Sequence, residues 1–373
     1  MSFPIPITSD IHRYARRSGR KGRVKLDFSL FYFSADSTGN ERNRYELLME
    51  GARFADTHDF RAVWTPERHF HPFGGLYPNP AVTGAAVAAV TERVGIRAGS
   101  VVAPTHHPAR VAEEWAVVDN LSRGRVGVSF ASGWSAIDFS FTPENYARRR
   151  ELLFEHTEEI RRLWRGESLD VVDGAGAPTR VRIFPPPVQA ELPVWITSGG
   201  DIGTFRGAGR IGAGLLTHLL GQDIDDLGKK IEEYRAEYRA ATNGGRGHVA
   251  LMVHTYLGED DDEIREIVRE PLYEYLRSSI NLLVGSRSVD ARKIDPASLR
   301  PADVDFLVQR SFDRYFDESG LLGGLDKGRR IVERLRGIQV DEIACLIDFG
   351  LPTADVLNGL KYLDQLRQYC QSP

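Results

Sequence analysis

Cysteine is scarce, with two in 373 residues, so no disulfide framework can staple the fold. Free thiols suit a reducing compartment. Cys345 lies in an apolar run and reads as buried; Cys370, near the end of the chain, reads as exposed. Long hydrophobic runs are missing too. No stretch approaches ~18 uninterrupted apolar residues, so no transmembrane helix is expected. The N-terminus lacks the apolar core and small-residue cleavage site of a secretory signal, so a cytoplasmic location is expected. An excess of one charge sign is also absent. Lys and Arg total 48 against 52 Asp and Glu, a net charge of −4, which argues against a nucleic-acid binder. With 42% hydrophobic and 27% charged residues, the chain is neither disordered nor collagen-like.

Basic residues concentrate in one place. Arg13, Arg16, Arg17, Arg20, Lys21, Arg23 and Lys25 follow one another with no acid between them. Residues 1–25 therefore read as a solvated leader, with an arm for an acidic partner as the alternative. The remainder, 26–373, reads as one domain.

Two periods alternate along that domain. Strands are expected over 26–33, 61–65, 94–102, 125–130, 193–197, 213–217, 249–256 and 341–347. Helices fall between them. Tyr45, Leu48, Met49, Ala52 and Ala55 share one face; Asn79-Pro80 caps a helix over 81–91; another spans 109–121 ahead of Gly124. Thr142-Pro143 opens a helix running to Trp164, and the helix after the seventh strand breaks at Pro271. Two excursions interrupt the rhythm. One covers 166–191, with a short extra strand at 181–184; the other lies between the seventh and eighth strands, up to Gly324. Eight strand–helix units without a composition shift predict a single α/β fold, a (β/α)8 TIM barrel with these two insertions.

In such a barrel the site forms from loops at the C-terminal ends of the strands. Five of the ten histidines fall there: His69, His71, His106, His107 and His218. That clustering points to acid–base or metal chemistry. Ser198-Gly199-Gly200 joins the fifth strand to a helix. Bare N–H groups and a helix N-terminus there suit an anion, although the motif is neither GxGxxG nor a P-loop. Trp64, Phe70, Phe73, Trp134, Phe139 and Phe141 are candidates for apolar walls. A metal-dependent hydrolase built on His69, His71, His218 and Asp348 is a rival reading. Against it, strand 5 ends without a histidine and strand 4 without a bridging lysine.

Residues 93–139 resemble the bacterial-luciferase-like flavin monooxygenases. The resemblance rests on Val94-Gly95-Ile96, Pro104-Thr105-His106-His107-Pro108, Val117-Val118-Asp119, Leu121-Ser122-Arg123-Gly124-Arg125 and Ala131-Ser132-Gly133. Upstream, Glu67-Arg68-His69-Phe70 through Asn79-Pro80 resembles the loop after strand 2 in that family, and the likeness runs on to Phe349. It is strongest to the branch found beside polyketide and nonribosomal-peptide assembly lines. The resemblance implies flavin mononucleotide (FMN), delivered reduced by a separate flavin reductase. It also implies a flavin 4a-hydroperoxide formed with molecular oxygen, and a small-molecule or carrier-bound substrate. The phosphate is expected at Ser198, Gly199, Gly200, Asp201 and Thr204. The ring is expected near Phe33, Ser34, Gly99, Ser100, Ala131, Ser132, Gly133 and Trp134. A non-proline cis peptide is implied at Gly99–Ser100.

Two departures from the family pattern stand out. Arg68 replaces the histidine tied to catalysis, leaving His69, then His71, as acid–base candidates. Ala131 replaces a reactive cysteine, so no thiol chemistry is expected; no metal site is expected either. A non-catalytic flavin-fold subunit and a deazaflavin-dependent dehydrogenase remain alternatives. The resemblance also implies a homodimer, through the helix carrying Ala81, Gly84, Ala85, Ala86, Ala88 and Ala89.

Overall fold

A computed structural model describes residues 26–33, 43–72, 74–278 and 300–371. The basic leader, Ser34 and Phe73 lie outside these residues. In chain order the strands are β1 (Asp27–Tyr32), β2 (Ala62–Thr65), β3 (Gly95–Val102), β4 (Val126–Ala131), β5 (Leu169–Val172), β6 (Pro178–Val181), β7 (Val194–Ser198), β8 (Gly214–His218), β9 (Val249–Gly258), β10 (Leu321–Gly324) and β11 (Glu342–Asp348). The helices are α1 (Glu46–Thr57), α2 (Pro80–Val90), α3 (Pro108–Ser122), α4 (Arg149–Trp164), α5 (Ile202–Arg210), α6 (Ile224–Ala241), α7 (Asp261–Ser278), α8 (Pro301–Arg314), α9 (Leu325–Gly337) and α10 (Thr353–Gln371).

Eight parallel strands, β1–β4, β7–β9 and β11, close into a barrel. Its seam runs through β11 on β1 and β8 on β9. The strands are buried almost throughout. A parallel sheet covered by helices on one face and filled on the other permits nothing else. β5 and β6 form an antiparallel hairpin after α4. β10 pairs in parallel with the C-terminal end of β9, beyond its pairing with β11. The peptide bond Gly99–Ser100 is cis.

Four local expectations need correction. Pro143 starts a separate turn of 3-10 helix, Pro143–Asn145, and α4 begins only at Arg149. The extra strand lies at Pro178–Val181, three residues earlier than expected, with an unforeseen partner at Leu169–Val172. Pro271 sits inside α7 without ending it. Cys370 is buried, because α10 turns that face inward.

The floor of the barrel holds a charged plug. Glu342 is fully buried at the start of β11. It accepts hydrogen bonds from Arg97 at 2.7 and 2.9 Å, Trp64 Nε1 at 2.9 Å and Ser29 Oγ at 2.5 Å. The Arg97 guanidinium lies over the rings of Trp64 and Trp195, at 4.8 and 4.5 Å. Burial acts to raise the Glu342 carboxyl. The charges of Arg97 and His248, with the hydrogen bonds from Ser29 and Arg97, overcome it and hold the group down to about 2. Trp64 is thereby spent on the floor and does not wall the mouth.

Candidate active site

The mouth of the barrel gathers residues from the ends of four strands. β2 ends at Thr65, and the chain continues through Glu67 to His69 without regular structure before Phe70 takes a left-handed conformation, φ 54°. That turn leaves Phe70 and Phe141 more than half exposed, 5.1 Å apart, with Phe141 edge-on to His69 at 5.0 Å. Trp134 is also exposed. These three rings are the apolar rim. Phe139 is buried against Tyr146 and does not reach it.

Beneath the rim lies a buried carboxylate. Glu67 Oε1 accepts from His69 Nε2 at 2.8 Å and His106 Nε2 at 2.6 Å, while Oε2 accepts the Val102 N–H at 2.8 Å. A carboxylate only accepts, so both imidazoles present Nε2–H to it. His106 is fixed by a 3-10 turn, Ala103–Thr105, at the end of β3. His107, which caps α3 through its Nδ1, and Pro108 in the first turn stop the chain from sliding.

Burial acts to raise the Glu67 carboxyl. Hydrogen bonds from His106 and His69, the His106 charge and the Val102 N–H outweigh it and leave the group below its ordinary value. For His106, burial acts downward, but the bond and charge of Glu67, with Glu114, carry it above its ordinary value. Among the described residues this is the group of three ligating side chains whose ligand atoms fall within 4.8 Å of one another. The rival set of His69, His71, His218 and Asp348 does not converge in that way. His71 is exposed further along the loop.

Arg68 points into the wall beside this cluster. It is buried, pairs with Asp138 at 2.5 Å and lies 4.6 Å from the Trp134 ring centre. Burial raises the Asp138 carboxyl despite the Arg68 charge and hydrogen bond. Arg68 Nε and Asp138 Oδ1 have no partner among the described residues.

The barrel interior below the mouth is lined by small groups. A Cβ at Gly99 would lie 2.6 Å from the Phe31 ring, and one at Gly133 would meet Phe139 at 2.7 Å. Thr197 Oγ1 lies 2.5 Å from Ser100 Oγ and 2.6 Å from Ser129 Oγ, so hydroxyls from β3, β4 and β7 meet in one group. Ala131 and Ser132 continue β4 half-buried, and Phe33 sits above β1, edge-on to Tyr275.

On the β7 side, Ser198 is buried, and its Oγ accepts the Gly200 N–H at 3.3 Å. Gly199 and Gly200 then turn into α5, with Gly200 at φ 123°. A Cβ at 199 would meet His218 Nε2 at 3.2 Å; one at 200 would meet Lys230 Nζ at 3.1 Å. This is a cradle that only glycine leaves open. Asp201 caps α5, accepting from Thr204 N at 2.8 Å and Thr204 Oγ1 at 2.9 Å, so both side chains are spent on each other. Burial lowers His218 to about 4, and burial with the His218 charge lowers His254 to about 3.

A model of the family described as luciferase-like monooxygenase matches residues 25–320. The chain belongs to the luciferase-like monooxygenase family. The oxygenase component of flavin-dependent trigonelline monooxygenase from Acinetobacter baylyi is 23% identical over 337 residues, 87% of this chain and 90% of that protein. The alkanal monooxygenase beta chain of Photorhabdus luminescens is 29% identical over 138 residues, 36% of this chain and 41% of its own. Among solved structures, monooxygenase RslO1 from Streptomyces bottropensis superposes with TM-score 0.76 at 24% identity, covering 92% of this chain and all of that one. The oxygenating constituent of 3,6-diketocamphane monooxygenase from Pseudomonas putida, solved with FMN, gives 0.69 at 16% identity, over 93% and 97%. The family, with its monooxygenase relatives, makes this luciferase-like monooxygenase an oxidoreductase that incorporates oxygen.

Sequence reasoning placed His69 and Arg68 at the mouth but missed what holds them. In the sequence Glu67 is only one member of a motif, and no motif marks Asp138, Ser129, Thr197 and Lys230. His254 hid inside an apolar strand.

Proposed function

We propose that this chain is the oxygenase of a two-component system that takes reduced FMN from a separate reductase and oxygenates an apolar organic substrate. The observation that carries the reading is one barrel mouth with a glycine cradle, a floor of small hydroxyl groups and a shielded carboxylate–imidazole cluster. The group fits the residues present. Gly199, Gly200 and the first turn of α5 would hold the phosphate, and Gly99, Ser100, Ser129, Ala131 and Thr197 leave room for a flat ring.

When bound, reduced flavin supplies two electrons to molecular oxygen, so that one oxygen atom enters the substrate and the other leaves as water. The chain supplies the protons. Arg68 cannot, because a guanidinium does not deprotonate in proteins. His106, whose charged form Glu67 favours, donates from its ring, and Glu67 links it to His69 at the rim. Phe70, Trp134 and Phe141 exclude water and seat the apolar part of the substrate. Relatives that act on trigonelline and alkanals agree with small organic substrates; a carrier-bound acyl or peptidyl chain is the larger one to test.

A homodimer fits the outer face. Ala81, Gly84 and Ala88 pack on the chain's own barrel, while Ala86 and Ala89 lie on the exposed face of the same helix. Val82, at 67% exposure, stands beside them, with Val117 and Leu121 of α3 exposed.

The test is aerobic turnover with a flavin reductase, reading oxygen uptake and intact product mass. Gain of one oxygen atom is expected. Reduction of substrate without oxygen uptake would favour the deazaflavin-dependent dehydrogenase, and flavin binding without turnover the non-catalytic subunit.

A further inference from the structure

We infer that Lys230 is a specificity-determining residue of the cradle, reading the phosphate of the flavin and so separating FMN from riboflavin. The inference rests on the flavin reading above. Lys230 lies on α6, away from every motif that marks the family resemblance. Its ammonium nevertheless reaches the Gly199–Gly200 turn, where a Cβ at Gly200 would stand 3.1 Å from Nζ.

The ammonium is held there. Gln222 Oε1 accepts from Nζ at 2.8 Å, while Gln222 Nε2 donates to the His218 carbonyl at 2.6 Å. The buried amide thus ties a half-buried lysine to the end of β8. No carboxylate within ion-pair distance of Nζ is found among the described residues. The remaining charges around the turn explain why a cation is needed. Asp201 contributes a carboxylate, and His218, lowered to about 4 by burial, is neutral near pH 7. The N–H groups of the first turn of α5 offer hydrogen bonds and partial positive charge but no full charge. Lys230 supplies that charge, so a phosphomonoester gains from it and a ribityl hydroxyl does not.

The experiment is a fluorescence titration of the full chain with FMN and riboflavin, oxidised and anaerobically reduced. It compares wild type, Lys230→Met and Lys230→Arg, each checked for folding by thermal melting. Wild type is expected to prefer FMN. Lys230→Met should weaken FMN about 10- to 100-fold, the range of one charge-assisted hydrogen bond, and leave riboflavin within about twofold. Lys230→Arg should keep most of the preference. If Met destabilises the chain, Lys230→Gln replaces it. Equal weakening of both flavins, an unchanged FMN affinity in Lys230→Met, or a wild type that does not distinguish them would overturn the inference alone. A wild type that binds neither would overturn the flavin reading and this inference with it.

Discussion

Glu342 at the barrel floor and Glu67 at its mouth are both buried carboxylates held below their ordinary value. Their partners differ in kind. Glu342 faces Arg97, sandwiched between two indoles, with His248 a weaker second partner at 3.5 Å. Glu67 faces two imidazoles, of which His106 is one-quarter exposed and is raised above its ordinary value by the bond and charge of Glu67. A fixed cation makes a structural plug; an exchangeable one makes a relay. Burial and low acidity alone therefore do not mark a functional carboxylate, and the chemistry of the partner decides.

The largest effect is expected at the floor. Arg97→Met keeps the length of the stem but removes the charge that permits Glu342 to be ionised inside the barrel. Breaking a buried pair from one side leaves an uncompensated charge, costing about 3–5 kcal/mol. Urea unfolding should show that loss. A variant within 1 kcal/mol of wild type, on the scale of about 0–1 kcal/mol seen for surface pairs, would demote the plug to a solvated pair.

At the mouth the expected effect moves from stability to turnover. His106→Gln places an amide N–H near the position of Nε2 and keeps a donor to Glu67, but has no acidic proton to transfer. Turnover should fall about 100-fold or more, the usual contribution of a general acid, with little change in unfolding free energy. The alkaline limb of the pH–rate profile should vanish with it. Retention of that limb would shift the proton to His69. Arg97→Met and His106→Gln thus make a cross test: each should move one observable and spare the other.

Much of the barrel was legible because each strand is a short apolar run bounded by turn residues, and closure follows from counting eight. The misreadings were local. Proline in a first turn is equally at home in the 3-10 turn at Pro143 and in a helix start, so the pattern did not separate them. Pro271 reads as a break in the sequence, since proline removes a hydrogen bond, yet α7 holds together with Leu272, Tyr275 and Leu276 buried. The site was legible where residues sit in one loop, as with Glu67 to His69. It was not legible where groups meet across strands. Ser100, Ser129 and Thr197 stand up to 97 residues apart and touch only after the barrel closes. The same holds for Lys230, on a helix two elements away from its turn.

The smallest expected effect separates the two carboxylates by pH. Glu342 is ordinarily a group near 4.5 and is held at about 2, so its stabilisation is present above pH 4.5 and fades as pH falls toward 2. It has no upper limit, because Arg97 stays charged. Glu67 is likewise lowered, so its share is present above 4.5 and fails on the acid side. His106 is raised above its ordinary 6.5, which reverses the sense: its share is complete below 6.5 and disappears as pH climbs through the raised value. The mouth pair therefore stabilises within a window, open from pH 4.5 to somewhat above 6.5, whereas the floor pair stabilises on a plateau. Partial exposure of His106 limits the window to about 1 kcal/mol. Denaturation midpoints measured from pH 5.5 to 9 should decline on the alkaline side in wild type and lose that decline in Glu67→Gln. On the alkaline side the floor contributes no decline, because Arg97 stays charged and His248, lowered by burial, acts only below its ordinary 6.5, so a decline that survives in Glu67→Gln would assign it elsewhere and remove the ionic character from the mouth pair.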